Sequence, residues 1–130
     1  LADQIKWFPL GGGYPPGAQV ALLNGNPAQA GAAYTIALKL PDGYRVLPHW
    51  HPAEIEFSVV QGTVGMGVGE KFDPAKGMEL PAGSYMKLAK EVRHYEWAKG
   101  ETIVHLHGLG PTAITYVNPE DDPRQKARQK

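Results

Sequence analysis

Cysteine is absent from the 130 residues of the chain, which excludes disulfides, thiolate metal ligands and a cysteine nucleophile. The absence suits an oxidising compartment without requiring one. An excess of one charge is missing as well. Thirteen basic residues balance thirteen acidic ones, so no net field draws the chain to nucleic acid or to an anionic membrane. No apolar run approaches the roughly 20 residues that a transmembrane helix needs. Nor does any segment carry a helical apolar stripe over three turns, which removes the helical fold classes. A serine triad signature, a phosphate-binding loop and a G-x-G-x-x-G run ahead of a helix are also missing.

What is present is punctuation. Sixteen glycines and twelve prolines break the chain into short segments, an all-β pattern. Strands are expected over residues 5–10, 18–23, 34–40, 84–89, 92–97, 102–108 and 113–117, with one helical turn at 73–76. Residues 1–118 are expected to form one domain, of which 1–17 make an edge strand and a Gly/Pro-rich loop; 119–130 read as a polar, solvated tail. Between 63 and 69, glycine alternates with larger residues at Gly65, Gly67 and Gly69. Repeated glycine on one strand face implies a close neighbour there, and a backbone is the expected one.

The densest chemistry lies between Gly43 and Gly62, expected as one strand run that ends in a turn glycine, where His49 and His51 stand one residue apart in an apolar, alternating background. On a strand they share a face, and two imidazoles fixed by one strand make half of a metal site. The bland reading of such a dipeptide is a pair of histidines bonded to backbone or water. With regular pairing the odd positions Leu47, His49, His51, Ile55, Phe57 and Val59 point inward, and Glu54 and Glu56 point out. A bulge between Pro52 and Glu56 would reverse that facing. Ile55 and Phe57 are then pocket residues, with Trp50 at the rim. A second H-x-H pair, His105 and His107, alternates with Val104 and Leu106, so one of the two sets faces the interior.

The run from Gly43 through His49, His51 and Pro52 to Gly62 resembles the first motif of the cupin family, G-x5-H-x-H-x3-E-x6-G, in all but one position. The family's glutamate falls on Ile55. Pro81-Ala82-Gly83 followed by Val92-Arg93-His94 resembles the second motif, with His94 as the matching ligand and Ala89 where a proline is common. Further similarity to small bacterial single-domain cupins covers Ile5-Lys6-Trp7-Phe8-Pro9-Leu10, Gly65-Met66-Gly67, Ala98-Lys99-Gly100-Glu101-Thr102 and Tyr116-Val117-Asn118-Pro119.

The resemblance implies a double-stranded β-helix, a jelly-roll barrel of about ten strands. It also implies one divalent transition metal held by His49, His51 and His94. Iron, manganese, copper, nickel and zinc all accept imidazole, and sequence does not choose among them. A fourth ligand would be His105 if its strand turns that face inward, or Glu56 if the strand bulges. Candidate catalytic groups are Glu54, Glu56, His105 and His107. With Ile55 in the glutamate slot the ion keeps its full charge, which favours an anionic ligand. Oxygen-dependent oxidation of a small metal-chelating substrate, dioxygenase-like, is the leading expectation. The alternatives are a non-catalytic ligand-binding or sensor cupin and a metal-dependent isomerase, lyase or hydrolase. Small cupins often dimerise, and an apolar edge at residues 5–10 fits a homodimer. A start at Leu1 without methionine fits a processed or trimmed chain, and export is favoured over a cytoplasmic location.

Overall fold

A computed structural model describes the backbone of residues 1–128 and the side chains of residues 1–125. Among the described residues nine strands pair in one curled antiparallel sheet: β1 (Phe8–Pro9), β2 (Gln19–Gly25), β3 (Ala33–Leu40), β4 (Arg45–Trp50), β5 (Ile55–Val68), β6 (Met78–Pro81), β7 (Tyr85–Leu88), β8 (His94–Leu109) and β9 (Thr115–Tyr116). Among the described residues no helix is long and apolar enough to cross a membrane.

Two long strands turn this sheet into a jelly roll. The second half of β8 lies between β3 and the first half of β5, with Ile36 opposite Leu106 and Phe57 opposite Leu106. Its first half lies between β4 and the second half of β5, with His49 and Val68 both opposite His94. Each long strand therefore serves two layers, β1-β2-β3-β8-β5-β7 and β9-β4-β8-β5-β6. The change of layer falls at Gly62 and Gly100, which both take a left-handed backbone (φ +74° and +76°). A Cβ at Gly62 would press on the Glu101 carbonyl and Thr102, so that corner requires glycine. Asp42 fixes the other corner, its Oδ1 accepting from the Gly100 N–H at 2.7 Å.

These corners revise the expected strands. Residues 43–62 are not one run, because β4 ends at Trp50 and β5 begins at Ile55. Gly62 does not end a strand, since β5 passes through it with shifted register. The expected strands at 92–97 and 102–108 are one strand, and β6 was not anticipated. The edge strand expected over 5–10 shrinks to Phe8–Pro9. The expected helical turn is present as the 3-10 turn Pro74–Lys76. Residues 119–128 are not a featureless tail: a 3-10 turn (Pro119–Asp121) leads into helix α1 (Pro123–Arg128). Arg124 ties this segment back, donating to the Ile114 carbonyl at 2.9 Å and to the Asp122 carboxylate at 3.0 Å. The rest of the expected tail, 129–130, lies outside the described residues.

The core fills the space between the layers with Ile36, Leu38, Leu40, Val46, Phe57, Val59, Val64, Met66 and Val104, all buried. On the outer face of the second layer, Gly65 and Gly67 are occupied by aromatic rings rather than by the expected backbone. A Cβ at Gly65 would overlap the Trp97 ring and one at Gly67 the Tyr95 ring. Tyr95 and Trp97 stack there at 6.3 Å, Phe72 packs on Tyr95, and the Tyr95 hydroxyl donates to the Asp73 carbonyl at 2.6 Å.

Candidate metal centre

The site sits where β4 and β8 pair, at the end of the core. Val46 is opposite Glu96 and His49 opposite His94, so three steps on β4 match two on β8. This bulge at Leu47 and Pro48 reverses the alternation within β4. Val46 faces the cavity together with His51, whereas Leu47 lies against Pro15, Pro16 and Tyr116. The expected inward placement of Leu47 thus fails: the bulge lies ahead of the histidines, not after them. Proline at a bulge removes no ladder hydrogen bond.

His49, His51 and His94 converge, each offering a ring nitrogen within 4.8 Å of the others. All three are buried. Each ring is held by a carbonyl: His49 Nδ1 by Leu47 at 2.7 Å, His51 Nδ1 by Ala113 at 2.7 Å and His94 Nδ1 by Val92 at 2.9 Å. A carbonyl only accepts, so every Nδ1 carries the hydrogen and every neutral ring presents its Nε2 lone pair. The turn before β8 adds support, with the Glu91 N–H donating to the His51 carbonyl at 2.9 Å. His49 Nε2 is buried and has no hydrogen-bond partner among the described residues. An orphaned lone pair beside two others is what a cation would satisfy, so the three histidines could form a metal site.

The electrostatics of two of the rings, His51 and His94, fit the neutral form. Burial, with His49 alongside, pushes His51 down to about 4. Burial likewise lowers His94, against an opposing pull from Glu96. Glu96 is the residue that sequence reasoning missed. It stands two positions after His94 on β8, the spacing that puts two side chains on one face, and that spacing was the available signal. Its Oε1 lies 3.5 Å from His49 Nε2. Burial works against its ionisation, but the contact with His49, and the charge that His94, His49 and His51 carry when protonated, outweigh that and hold it down to about 2.

The other anticipated residues fall into two groups. Ile55 and Phe57 line the cavity beside His51, His94 and Glu96. Trp50, between the two histidines and out of phase with them, is not among the lining residues; the Arg93 guanidinium lies 4.9 Å over its ring. Glu54 is exposed and pairs with Lys87 at 3.7 Å, and Glu56 accepts from the exposed Tyr85 hydroxyl. β5 pairs without a register shift over residues 55–59, so the bulge that would have made Glu56 a ligand is absent. His105 and His107 occupy the outer face as well, because Val104 and Leu106 take the inner one. His105 is therefore not placed to complete the site.

The cavity beside the histidines measures about 50 Å³, several times the roughly 10–15 Å³ that admits one water. It shares Leu10, Tyr14, Leu38, His51, Ile55 and Leu106 with a neighbouring space of about 200 Å³ that runs out under Gly11 and Gly12. The glycine-rich loop is stitched down at this mouth. The Tyr44 hydroxyl donates to the Pro15 carbonyl at 2.6 Å and the Tyr116 hydroxyl to the Gly13 carbonyl at 2.5 Å. Between these anchors Tyr14 turns into the cavity, where burial and then the Glu96 carboxylate push its phenol up, so that it keeps its proton.

A family profile described as the ChrR cupin-like domain matches residues 2–113. No curated protein sequence matches. Among solved structures, a putative acetylacetone dioxygenase from Methylibium petroleiphilum is 25% identical, covering 94% of this chain and 81% of that one with a TM-score of 0.68. The polyketide cyclase RemF from Streptomyces resistomycificus shares the fold at 15% identity and TM-score 0.74, over 97% of this chain and 89% of that one. An acetylacetone dioxygenase from Acinetobacter johnsonii does so at 19% identity and TM-score 0.66, over 89% and 74%. With the profile spanning most of its length and both cupin motifs meeting at the three buried histidines, the chain belongs to the ChrR cupin-like domain family.

Proposed function

We propose that this cupin binds one divalent transition metal through Nε2 of His49, His51 and His94 and acts on a small, metal-chelating organic substrate in an oxygen-dependent oxidation. The observation that carries the reading is the set of three Nδ1–H groups spent on backbone carbonyls, which leaves three lone pairs aimed together and one of them buried without a partner. A bound ion would supply Lewis acidity to a chelating oxygen pair and, if redox-active, a route for electrons to dioxygen.

The residues of the chain do the rest. Leu38, Ile55, Phe57, Val104 and Leu106 make apolar walls that hold the body of a substrate and keep water out. Tyr14 keeps its proton and can donate a hydrogen bond to a substrate oxygen. The tethered loop over the mouth limits size, so a short diketone or an enol acid fits the space better than a sugar. The likeness to acetylacetone dioxygenases, one of them at 25% identity, supports this substrate class.

The test is metal analysis of protein purified without added metal, followed by oxygen uptake with short β-diketones. Iron or copper near one equivalent, with oxygen consumed in proportion to substrate, is the expected result. Zinc with no oxygen uptake would overturn the oxidative reading in favour of a lyase or hydrolase, and a protein that retains no metal would favour a ligand-binding role.

A further inference from the structure

We propose that Glu96 is the fourth protein ligand of this centre, a carboxylate delivered from β8 in place of the one that position 55 lacks. The inference rests on the metal-binding reading above and adds a residue that lies in neither histidine motif.

Two electron-rich atoms face each other beside the histidines. His49 donates from Nδ1 to the Leu47 carbonyl, so in the neutral ring Nε2 is a bare acceptor, and it faces the Glu96 Oε1 at 3.5 Å. The contact falls outside hydrogen-bond geometry. Two acceptors held face to face at the edge of the core repel unless a proton or a metal ion stands between them, and a contact without hydrogen-bond geometry suits the ion. Among the described residues no lysine or arginine pairs with Glu96; the salt bridges of that kind involve Lys87, Lys99 and Arg124 with other carboxylates. The His49–Glu96 separation has the right size for a shared ion, and Glu96, which stands outside the cluster of three histidine nitrogens that lie within 4.8 Å of one another, would swing towards them on binding. Ligand atoms each about 2.1 Å from one metal lie about 3.4 Å apart at the tetrahedral angle.

The backbone explains how the carboxylate arrives there. His94 and Glu96 are in phase on β8, and the bulge at Leu47 and Pro48 draws the His49 ring over the gap between them. Ile55, at the position of the family's glutamate, starts β5 and presents an aliphatic side chain to the same cavity. Charge and wall have exchanged places. The carboxylate comes from the β4–β8 pair, and β5 contributes an apolar surface. A divalent ion with three neutral imidazoles and one carboxylate carries a net charge of about +1, not +2. A singly charged enolate then neutralises the centre, and a dianion does not suit it.

Metal-free protein, stripped with a chelator, is titrated with zinc and with cobalt(II) in competition with a chromophoric chelator. Glu96→Gln should weaken both ions by about a hundredfold or more. Adding Ile55→Glu to that variant should restore affinity to within about tenfold of the parent, because either strand can supply the missing charge. Glu96→Asp retains the charge and folds whether or not the glutamine variant does. It should shift the cobalt absorption bands and lower affinity about tenfold, since the shorter arm cannot reach the same point. Unchanged affinity and spectrum in Glu96→Asp, or Glu96→Gln titrating like the parent while His94→Ala loses the metal, would overturn the assignment of Glu96 and leave the three-histidine centre standing. A parent protein that takes up neither ion would overturn both.

Discussion

Two H-x-H pairs, one at the end of β4 and one within β8, differ in almost everything except spacing. His49 and His51 are buried, and each ring is locked by a backbone carbonyl. His105 and His107 are partly exposed on the outer face of β8, opposite Ser58 and Glu56 of β5. The support of His107 is a hydroxyl, Thr35 Oγ1 at 3.2 Å, which can donate or accept and so does not fix the tautomer. Spacing puts two side chains on one face; what lies between them decides which face. Leu106, between the outer pair, fills the core. Trp50, between the inner pair, rests under Arg93, since an amphipathic ring tolerates a wet boundary that leucine does not.

The widest gap between the pairs should appear in metal content. His49→Ala, His51→Ala and His94→Ala should each remove stoichiometric metal, measured by elemental analysis after gel filtration, whereas His105→Ala and His107→Ala should retain it. Stability should separate them too. Loss of an inner ring leaves a buried carbonyl unpaired, a cost of about 1–3 kcal/mol in the metal-free protein. An outer replacement should stay within about 0.5 kcal/mol. Equal metal loss from both pairs would erase the distinction.

Much of this was legible in the sequence, for physical reasons that also mark where legibility ends. The all-β class follows from glycine and proline spacing, and the three histidines follow from alternation together with the cupin motifs. The inward phase of Ile55 was legible because the period of two survives the break at residues 51–54. The bulge at Leu47 and Pro48 was not, because a bulge is a relation between two strands and β4 alone carries no trace of its register against β8. Glu96 was missed for the same reason. Its spacing from His94 was visible, but its approach to His49 depends on that bulge. The rings over Gly65 and Gly67 likewise come from β8, some thirty residues away in sequence.

Acid should sharpen the contrast next. The ordinary histidine value is about 6.5, and the folded protein holds His51 at about 4, with His94 shifted in the same direction. Between these values the unfolded chain binds more protons than the folded one, so stability is full above about 6.5 and falls as the pH drops towards 4. The His51 shift alone corresponds to at most about 3 kcal/mol. Glu96, at about 2 in the folded state, extends the decline: its contribution is present above about 4.5 and is lost as the pH falls towards 2. Urea unfolding of metal-free protein from pH 7.5 to 4.5 should show this slope. His51→Gln should flatten it and His107→Gln should leave it nearly intact. A profile that is flat in the unmodified protein would mean that His51 and His94 are not held neutral.

The smallest effects should come from the two glutamates that flank Ile55. Glu54, just ahead of β5, pairs with Lys87 across an exposed surface, and Glu56, on the outer face of β5, accepts from Tyr85. Exposed ion pairs contribute about 0–1 kcal/mol, so Glu54→Gln should cost almost nothing. Glu56→Gln should cost slightly more, because it loses a charged acceptor for the tyrosine hydroxyl. Neither should move zinc affinity by more than about twofold, because neither carboxylate faces the cavity and a charge that far into solvent is screened within about 10 Å. A fall in affinity after either substitution would mean that β5 turns its outer face inward after Pro52. In that case Ile55 would leave the cavity wall, and the carboxylate at Glu96 would no longer be needed to explain the missing one.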